Sequence, residues 1–394
     1  MKVNSGWLTG LSLAGVAILL GSCGGGGGST SDGTLRLALT DAPACGFDNV
    51  YVTVSKVLVH QSAGAADSDS GWHGISLVPA RRVDLLALTN GVLENLGQTS
   101  LPAGKYTQMR LVLAENTGVP YANAVKPTGG SEVALQTPSG AQTGLKLNVN
   151  IDVPAGKIAD FVLDFDACKS VVSAGASGRY NLKPVIGVIP LLADGAGQRI
   201  VGYVASSVAA VTRVSAQKGG VVAKATVPNA SGVFNLYPVP PGNYELVVTG
   251  SDLVTSVVTG VPVTTTAETL VGSSLVRINP ATATSRIASG VVSVNGVLAD
   301  TSASVRGLQA FTGGPTIEVV GAQVDAMTGA FSFSLPVTAP AKTAYALAPT
   351  SIAFTSDPTA AAKYVLQAAA PAFADKTQSI DVSAAGVNVP FVFP

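Results

Sequence analysis

The sequence predicts an all-β protein, built from antiparallel β-sandwich domains in tandem behind an N-terminal tether. Three observations support this class: stretches of polar–apolar alternation, abundant Val and Thr, and frequent Gly and Pro between the alternating stretches. With 44 Gly and 23 Pro in 394 residues, turns recur too often for long helices. We find no long segment of helical period after the N-terminal apolar run.

The charge composition argues against two classes of partner. The 23 Lys and Arg residues balance the 23 Asp and Glu residues, and charged residues make up only 12% of the chain. No net field therefore draws the chain to nucleic acid or to anionic lipid. The length of 394 residues is sufficient for two or three domains.

The N-terminus has the pattern of a secretory signal peptide. An apolar run from Trp7 to Leu20 follows a short start that carries Lys2, and small residues come next. The run is too short, and too often broken by Gly and Ser, to cross a bilayer as a stable helix. The sequence Leu20-Gly21-Ser22-Cys23 resembles the lipobox of bacterial lipoproteins. This resemblance implies that residues 1–22 are removed and that Cys23 becomes the acylated first residue.

Residues 23–33 have the composition of a flexible tether. Five glycines, Gly24 to Gly28, precede a Ser/Thr/Asp/Gly stretch that ends at Gly33. A Gly/Ser tether of about ten residues has a root-mean-square length of roughly 17 Å, which separates a folded domain from lipid head groups. This order of features favours the lipoprotein interpretation over an ordinary signal peptide with a chance cysteine after it.

The residue after the cysteine indicates which bacterial membrane a lipoprotein occupies. Gly24 stands where an aspartate would resemble an inner-membrane retention signal. The resemblance therefore implies an outer-membrane lipoprotein of the bacterial cell envelope, attached to the membrane through Cys23.

Cys45 and Cys168 remain as an even pair in an oxidising compartment, where a disulfide is the default. Closing a loop of roughly 120 residues would stabilise the fold by about 5 kcal/mol in the chain-entropy model. A catalytic or metal-binding thiol would require a histidine or a second ligand nearby in sequence, and neither cysteine has one. We therefore predict a structural disulfide between them.

Alternation predicts a first β domain over residues 34–192. The clearest strand candidates are the following stretches: Thr34 to Thr40, Val50 to His60, Lys105 to Ala114, Leu145 to Val153 and Ile158 to Ala167. In the last of these, Phe161, Leu163 and Phe165 point into a core. Strands at short intervals with turns between them are typical of an antiparallel sandwich.

Five ordered motifs in this region resemble one bacterial family, the domain of unknown function 4382. These motifs are Leu39-Thr40-Asp41-Ala42-Pro43, Val83-Asp84-Leu85-Leu86, Pro102-Ala103-Gly104-Lys105-Tyr106, Asp164-Phe165-Asp166-Ala167-Cys168-Lys169-Ser170 and Tyr180-Asn181-Leu182-Lys183-Pro184. The resemblance covers about residues 33–192. It implies a secreted β-rich domain and no particular chemistry, because the family has no assigned activity.

Residues 198–272 resemble the carboxypeptidase-regulatory-like modules, which are small transthyretin-like sandwiches. The resemblance rests on a Gly-x-Phe-x-Leu stretch, a Pro-Pro-Gly turn and a Tyr-x-Leu stretch in this order. We expect Pro241-Gly242 to turn a hairpin between two strands. The expected core residues on these strands are Phe234, Leu236, Tyr244 and Leu246.

A third β domain of uncertain family is predicted over residues 286–394. Gly290 to Val294 resembles the opening strand of the preceding module, and Gly329 to Leu335 resembles its Gly-x-Phe strand. The resemblance ends at Pro336 to Pro340, which has no Pro-Gly hairpin turn.

Motifs for catalysis are few. His60 and His73 are the two histidines, and we interpret them as surface or hydrogen-bonded residues rather than as paired metal ligands. The sequence contains no Gly-x-Ser-x-Gly elbow, no His-Glu-x-x-His and no phosphate-binding loop. Asp67 to Gly71 resembles the start of a calcium loop, but Val78 stands where the bidentate glutamate belongs. A solvated loop is the better interpretation.

An acidic strand is the remaining candidate site. Asp160, Asp164 and Asp166 share one face of a strand, opposite the predicted core residues. Carboxylates this close repel unless a cation or basic side chains compensate them. A calcium site formed by Asp164, Asp166 and Asp41 is one hypothesis, and Lys, Arg or hydroxyl partners from the next strand are the favoured one. A glycosidase would require an opposed carboxylate across a cleft.

We therefore expect a membrane-anchored envelope lipoprotein that acts as a non-catalytic binding or structural module, with no catalytic or cofactor-binding residue. Its partner would be a glycan or an envelope protein, and not nucleic acid. One alternative is carbohydrate or peptidoglycan binding through the transthyretin-like sandwiches, for which exposed aromatic side chains on one sheet face would be evidence. A second alternative is a hydrolase that uses acidic residues of the first domain.

We predict that Cys23 is lipidated, because the lipobox-like residues and the glycine tether occur in the order that an anchor requires. Mass spectrometry of the membrane-extracted N-terminus should show a diacyl or triacyl modification on this residue. A soluble chain cleaved at another position would contradict the prediction.

Overall fold

A computed structural model describes residues 31–42, 46–192, 195–298 and 302–394. In these residues it contains 29 strands, one short α-helix, α1 (Ala167–Ser170), and four short 3₁₀ helices. The all-β class predicted from the sequence is confirmed. Within the described part of the chain, no helix is long and apolar enough to cross a membrane. The predicted signal peptide, Cys23 and Cys45 lie outside the described residues.

The strands fall into three groups in chain order, which we call the first, second and third modules. The first contains β1 (Gly33–Ala42), β2 (Phe47–His60), β3 (His73–Asp84), β4 (Glu94–Leu101), β5 (Gly104–Leu113), β6 (Ala124–Pro127), β7 (Val133–Gln136), β8 (Leu145–Val153), β9 (Ile158–Asp166), β10 (Val171–Ser173), β11 (Tyr180–Leu182) and β12 (Ile186–Pro190). The second contains β13 (Ile200–Tyr203), β14 (Thr212–Lys218), β15 (Val221–Thr226), β16 (Val233–Leu236), β17 (Gly242–Gly250), β18 (Ser256–Val263) and β19 (Thr269–Val271). The third contains β20 (Ser285–Val294), β21 (Ser304–Ala310), β22 (Thr316–Gln323), β23 (Ala330–Pro336), β24 (Ala341–Ala344), β25 (Thr355–Ser356), β26 (Lys363–Ala369), β27 (Lys376–Asp381), β28 (Val387–Asn388) and β29 (Phe391–Phe393). The 3₁₀ helices are Leu85–Leu88, Gly175–Ser177, Ala209–Val211 and Pro358–Ala360.

The first module is a sandwich of two sheets. One has the order β12-β9-β1-β4, and the other has the order β10-β11-β7-β6-β2-β5-β8, with β3 beside β2. The strand pairs are mostly antiparallel, as predicted, but β1 lies parallel to β9, and β7 lies parallel to β11. Parallel neighbours need a long connection, and the chain between β1 and β9 includes seven other strands.

The faces predicted from alternation in the first module are correct. Leu37 of β1 aligns with Phe161 of β9, and Leu39 aligns with Leu163, and all four side chains are buried in one apolar cluster. The opposite face of β9 carries the three aspartates. The parallel register brings the ends of β1 and β9, with their carboxylates, to one edge of the sheet.

The second module also has two sheets, with the orders β16-β13-β19 and β15-β14-β17-β18. The predicted core residues Phe234, Leu236, Tyr244 and Leu246 are all buried. The hairpin predicted at Pro241-Gly242 is wrong, because β16 pairs with β13 while β17 pairs with β14 and β18. The Pro-rich segment instead carries the chain from one sheet to the other. The Tyr244 hydroxyl fixes this crossing by donating to the carbonyl of Pro240 at 2.7 Å.

The third module again has two sheets, with the orders β23-β20-β28 and β22-β21-β26-β27, and β29 continues the line of β28 along β20. The short strands β24 and β25 leave this module and extend the larger sheet of the second. Ala341 of β24 aligns with Ser256 of β18 in a parallel pair. The predicted domain ranges 34–192, 198–272 and 286–394 stay predictions. Residues 341–356 fall within the last range, but their strands β24 and β25 belong to a sheet of the second module.

Cys168, one of the two cysteines of the predicted disulfide, lies in α1, directly after β9. Both of its possible partners, Cys23 and Cys45, lie outside the described residues. The pairing with Cys45 therefore stays a prediction, and mass mapping of the unreduced protein after proteolysis tests it.

Candidate functional site

Three of the acidic residues singled out in the sequence meet at a buried junction between the three modules. Asp41 ends β1 together with Ala42, and Asp164 and Asp166 end β9, so the parallel register places all three carboxylates at one sheet edge. Asp160 lies further back on β9 and forms a close ion pair with Arg36 of the neighbouring strand β1. The hypothesis favoured from the sequence, a basic partner on the neighbouring strand, is therefore correct for Asp160.

The positive charge beside Asp164 comes from the second module. Lys224 of β15 donates from Nζ to Asp164 Oδ1 at 2.5 Å and to the carbonyl oxygen of Asp41 at 3.3 Å. The Lys224 side chain is only 1% exposed and that of Asp164 only 12%. Burial raises the pKa of the Asp164 carboxyl, and the Lys224 ammonium opposes this effect. Removing one member of such a buried pair leaves an uncompensated charge.

Asp41 is the most deeply buried of these carboxylates. Its Oδ1 accepts a hydrogen bond from the Ala167 backbone N–H at 2.9 Å, and its Oδ2 has no hydrogen-bond partner among the described residues. Burial raises the pKa of Asp41 well above its usual value. The Ala167 hydrogen bond opposes this rise, and the charges of Asp166 and Asp164 add to it. The neutral carboxyl is therefore the form that the fold favours.

Asp166 and Lys169 of the first module contact charged side chains of the other two modules. Asp166 caps α1 by accepting from the Lys169 backbone N–H at 3.1 Å, and its carboxylate lies 3.9 Å from Arg213 of β14. Lys169 Nζ donates to Glu318 of β22 at 2.7 Å. Arg306 of β21 lies 3.5 Å from the other oxygen of Glu318, which is only 7% exposed. A chain of alternating charges therefore passes through all three modules.

An amide side chain joins the second and third modules in the same region. The Gln217 side chain accepts from the Glu318 backbone N–H at 2.7 Å and donates to the Glu318 carbonyl at 2.8 Å. This reciprocal pair satisfies two backbone groups of β22 as a neighbouring strand would. Beside it, Val247 and Val257 of the second module pack against Phe311 and Ile317 of the third.

Two further polar contacts tie the modules at other points. Asn90 of the first module accepts from the Asn235 backbone N–H at 2.6 Å, and Asn90 N–H donates to Thr226 Oγ1 at 2.8 Å. Asp325 of the third module accepts from Gly175 N–H and from the Ser173 hydroxyl, each at 2.8 Å. Burial opposes ionisation of Asp325, but these hydrogen bonds lower its pKa to about 2.

The other residues considered in the sequence do not join this junction. His60 accepts from the Ser62 backbone N–H at 2.9 Å, and its ring lies 5.0 Å from that of Trp72. His73 instead meets the ring of Tyr106 edge-on at 6.5 Å. The two histidines therefore make separate contacts.

The loop that resembled the start of a calcium site is held by protein groups. Asp67 forms a close ion pair with Arg110, and Asp69 accepts from the Ala66 backbone N–H at 2.9 Å. Val78, in the twelfth position, is 91% exposed. Within the described ranges, no group of three or more His, Cys, Asp or Glu side chains is arranged to hold a metal ion.

Sequence reasoning missed the partners of the acidic strand. Lys224 is 60 positions from Asp164, and Glu318 is 149 positions from Lys169. One available indication was Lys224 itself, a single lysine in the Val-Val-Ala-Lys-Ala-Thr stretch that forms β15. A lysine flanked by alanines in such a stretch is a candidate for a buried, paired charge.

Comparison with known proteins supports the first family resemblance. Residues 32–184 match the family model described as "Domain of unknown function (DUF4382)". The resemblance drawn from the five motifs is therefore confirmed for this region. The lipoprotein and transthyretin-like resemblances stay predictions. None of the curated proteins matches the chain.

Several solved structures show a distant likeness. A cohesin–X-dockerin complex from Acetivibrio cellulolyticus is 23% identical over 22% of this chain and 59% of that chain, with a TM-score of 0.19. The Bacillus anthracis TIE protein is 11% identical over 92% of this chain and 50% of that chain, with a TM-score of 0.18. A streptococcal ancillary pilin is 7% identical over 92% and 99%, with a TM-score of 0.17. This chain therefore spans 59% of the length of the first of these proteins and 50% of the length of the second. TM-scores this low do not establish a shared fold.

We predict that Lys224→Met lowers the free energy of unfolding by about 3–5 kcal/mol, because it leaves the Asp164 carboxylate buried without its cation. Equilibrium urea unfolding of the purified protein measures this change. Lys146→Met, on the exposed side of β8, is the control and should change stability by less than about 0.5 kcal/mol. Adding Asp164→Leu to Lys224→Met should recover much of the loss, because it removes the unpaired charge. A loss no larger than that of the control would contradict the prediction.

We predict a pH-dependent effect of Asp41→Asn. The folded-state pKa of Asp41 is raised, so its neutral form contributes stability at low pH, and this contribution is lost as pH rises through the folded-state pKa. The Asn side chain stays neutral and keeps an oxygen for the Ala167 N–H. Unfolding measured from about pH 5 to about pH 9 should therefore show the variant gaining stability over the wild type as pH rises. Asp152→Asn, at an exposed position of β8, should show no such trend, and parallel curves for Asp41→Asn and wild type would contradict the assignment.

We expect chelation to leave the melting temperature unchanged, because Lys224 supplies the positive charge beside Asp164. Thermal unfolding in chelator and in millimolar calcium tests this expectation. A calcium-dependent rise that disappears in Asp164→Asn would instead indicate a site formed by Asp41, Asp164 and Asp166.

Proposed function

We propose that this chain is a lipid-anchored protein of the bacterial cell envelope, in which three β modules form one non-catalytic ectodomain. The observation that carries the proposal is the junction. Lys224 of the second module compensates the Asp164 carboxylate of the first, and Lys169 of the first pairs with Glu318 of the third. Modules linked only by flexible segments would move independently, whereas buried charge pairs between them oppose such motion.

The anchoring part of the proposal rests on the N-terminal sequence. The lipobox-like residues end at Cys23, and the tether that follows reaches Gly33, where β1 begins. An anchored ectodomain of this design would hold its modules at a fixed distance from one another and at a variable distance from the membrane. The outer membrane is the proposed location, with a glycan or an envelope protein as partner.

The non-catalytic part rests on where the perturbed acidic groups lie. Shifted pKa values mark functional sites, but structural ion-pair networks produce them as well. Asp41 and Asp164 are buried between modules, where Lys224 Nζ donates to one oxygen of Asp164 and the Ala167 N–H donates to one oxygen of Asp41. Asp160 is paired with Arg36. These contacts favour a structural role for the acidic strand over the hydrolase considered from the sequence.

Two experiments test the proposal. Cell fractionation should place the protein with the membranes, and Cys23→Ala should move it to the soluble fraction. Residues 191–199, between β12 and β13, form the linker from the first module to the second. Limited proteolysis of the purified protein should leave this linker uncut in the wild type and cut it faster in Lys224→Met, with Lys146→Met as the control. A soluble wild-type protein would contradict the anchor, and rapid cleavage of the wild-type linker would contradict a single ectodomain.

A further inference from the structure

A cleft of about 570 Å³ opens between the second and third modules, and Gly46 of the first module also lines it. Its polar side chains are one guanidinium and several hydroxyls, among them Arg213, Thr249, Ser251, Thr255, Ser332 and Ser334. Ligand sites have volumes of about 300–1,000 Å³, occur preferentially between domains and combine apolar walls with a few polar groups. The cleft has these properties and exists only where the modules meet.

The strand registers explain how the polar groups come to line the cleft. Arg213 of β14 and Thr249 of β17 are cross-strand partners and therefore point to the same side of their sheet. On the opposite wall, Ser332 and Ser334 alternate along β23 with Phe333, which packs in the core of the third module. Each wall thus presents polar side chains to the cleft beside apolar ones.

Two of these groups have unused hydrogen-bonding capacity. A guanidinium has five N–H donors, yet Arg213 makes no side-chain hydrogen bond to any described residue, and its ion-pair partner Asp166 is 3.9 Å away. Thr255 is only 1% exposed, and its Oγ1 has no hydrogen-bond partner within the described part of the chain. An unpaired buried hydroxyl costs free energy, and a ligand hydroxyl would relieve that cost.

The local charge indicates the class of ligand. Asp166 already balances the charge of Arg213 and would repel an incoming carboxylate or phosphate. A neutral ligand rich in hydroxyls avoids this repulsion and can accept from the guanidinium. Val319, Val320 and Pro336 also line the cleft and can contact the C–H face of a sugar ring.

We propose that this cleft binds a neutral saccharide of one or two sugar rings, with Arg213 donating to its hydroxyls and Thr255 pairing with one of them. The inference deepens the proposed function by naming a ligand class for the ectodomain. It rests on one part of that function, namely that the modules are joined, because the cleft lies between two of them. Fractionation and proteolysis involve no saccharide, so their failure is distinguishable from a failure of this proposal.

The test is a titration of the purified protein with glucose, galactose, N-acetylglucosamine and their disaccharides, followed by calorimetry and saturation-transfer NMR. At least one of these neutral sugars should bind, and Arg213→Met should weaken its binding about tenfold or more. Arg179→Met, at an exposed position that does not line the cleft, should leave binding unchanged.

Thr255→Val separates binding from folding. Because the Thr255 hydroxyl has no partner among the described residues, its removal should leave the melting temperature unchanged or higher while it weakens sugar binding about fivefold. Thr266→Val, in an exposed loop, is the matched control. This variant carries the test even if Arg213→Met fails to fold.

Three outcomes would overturn the proposal. Glucuronate and inorganic phosphate are included in the titration, and binding of these anions alone would indicate an anion site. If none of the neutral sugars binds, the cleft is not a saccharide site. Sugar binding that neither Arg213→Met nor Thr255→Val weakens would place the sugar elsewhere on the protein.

Discussion

Compensation of buried charge is the constraint on which this structure depends. Asp164 lies on the face of β9 that points away from the core of the first module, and the second module covers that face with Lys224. A buried carboxylate without a cation would be strongly unfavourable. The same holds for Glu318 of the third module, which Lys169 and Arg306 neutralise. These surfaces can therefore be buried only when all three modules are assembled.

Other features of the molecule follow from this assembly. The Gln217 amide satisfies two backbone groups of β22 where the second and third modules meet, beside the charge pairs that join each of them to the first. Strands β24 and β25 reinforce the same contact by extending a sheet of the second module with residues from the third. The cleft beside Arg213 is a consequence as well, since its two walls belong to different modules. Ion pairs, sheet extension and cleft are thus parts of one arrangement.

Alternation in the sequence predicted the strands and their buried faces well. Leu37, Leu39, Phe161 and Leu163 occupy the core as expected, because the period of two determines which side chains share a face. The turn predicted from Pro241-Gly242 was wrong, because a hairpin was expected there and the chain instead changes sheets. Periodicity carries no information about which sheet a strand joins, since both choices bury the same side chains. The crossing of residues 341–356 into the second module was missed for the same reason.

The sequence by itself determined the all-β class, the resemblance of the first module to its family and the need of the acidic strand for positive charge. Only the tertiary structure decided that Lys224, 60 positions away, provides the charge beside Asp164. It also decided that Asp41 is buried with one oxygen unpaired within the described residues. The physical reason is that local pattern fixes the direction of a side chain, whereas its partner depends on how distant strands close around a shared core. Such long-range closure leaves little trace in the residues on either side.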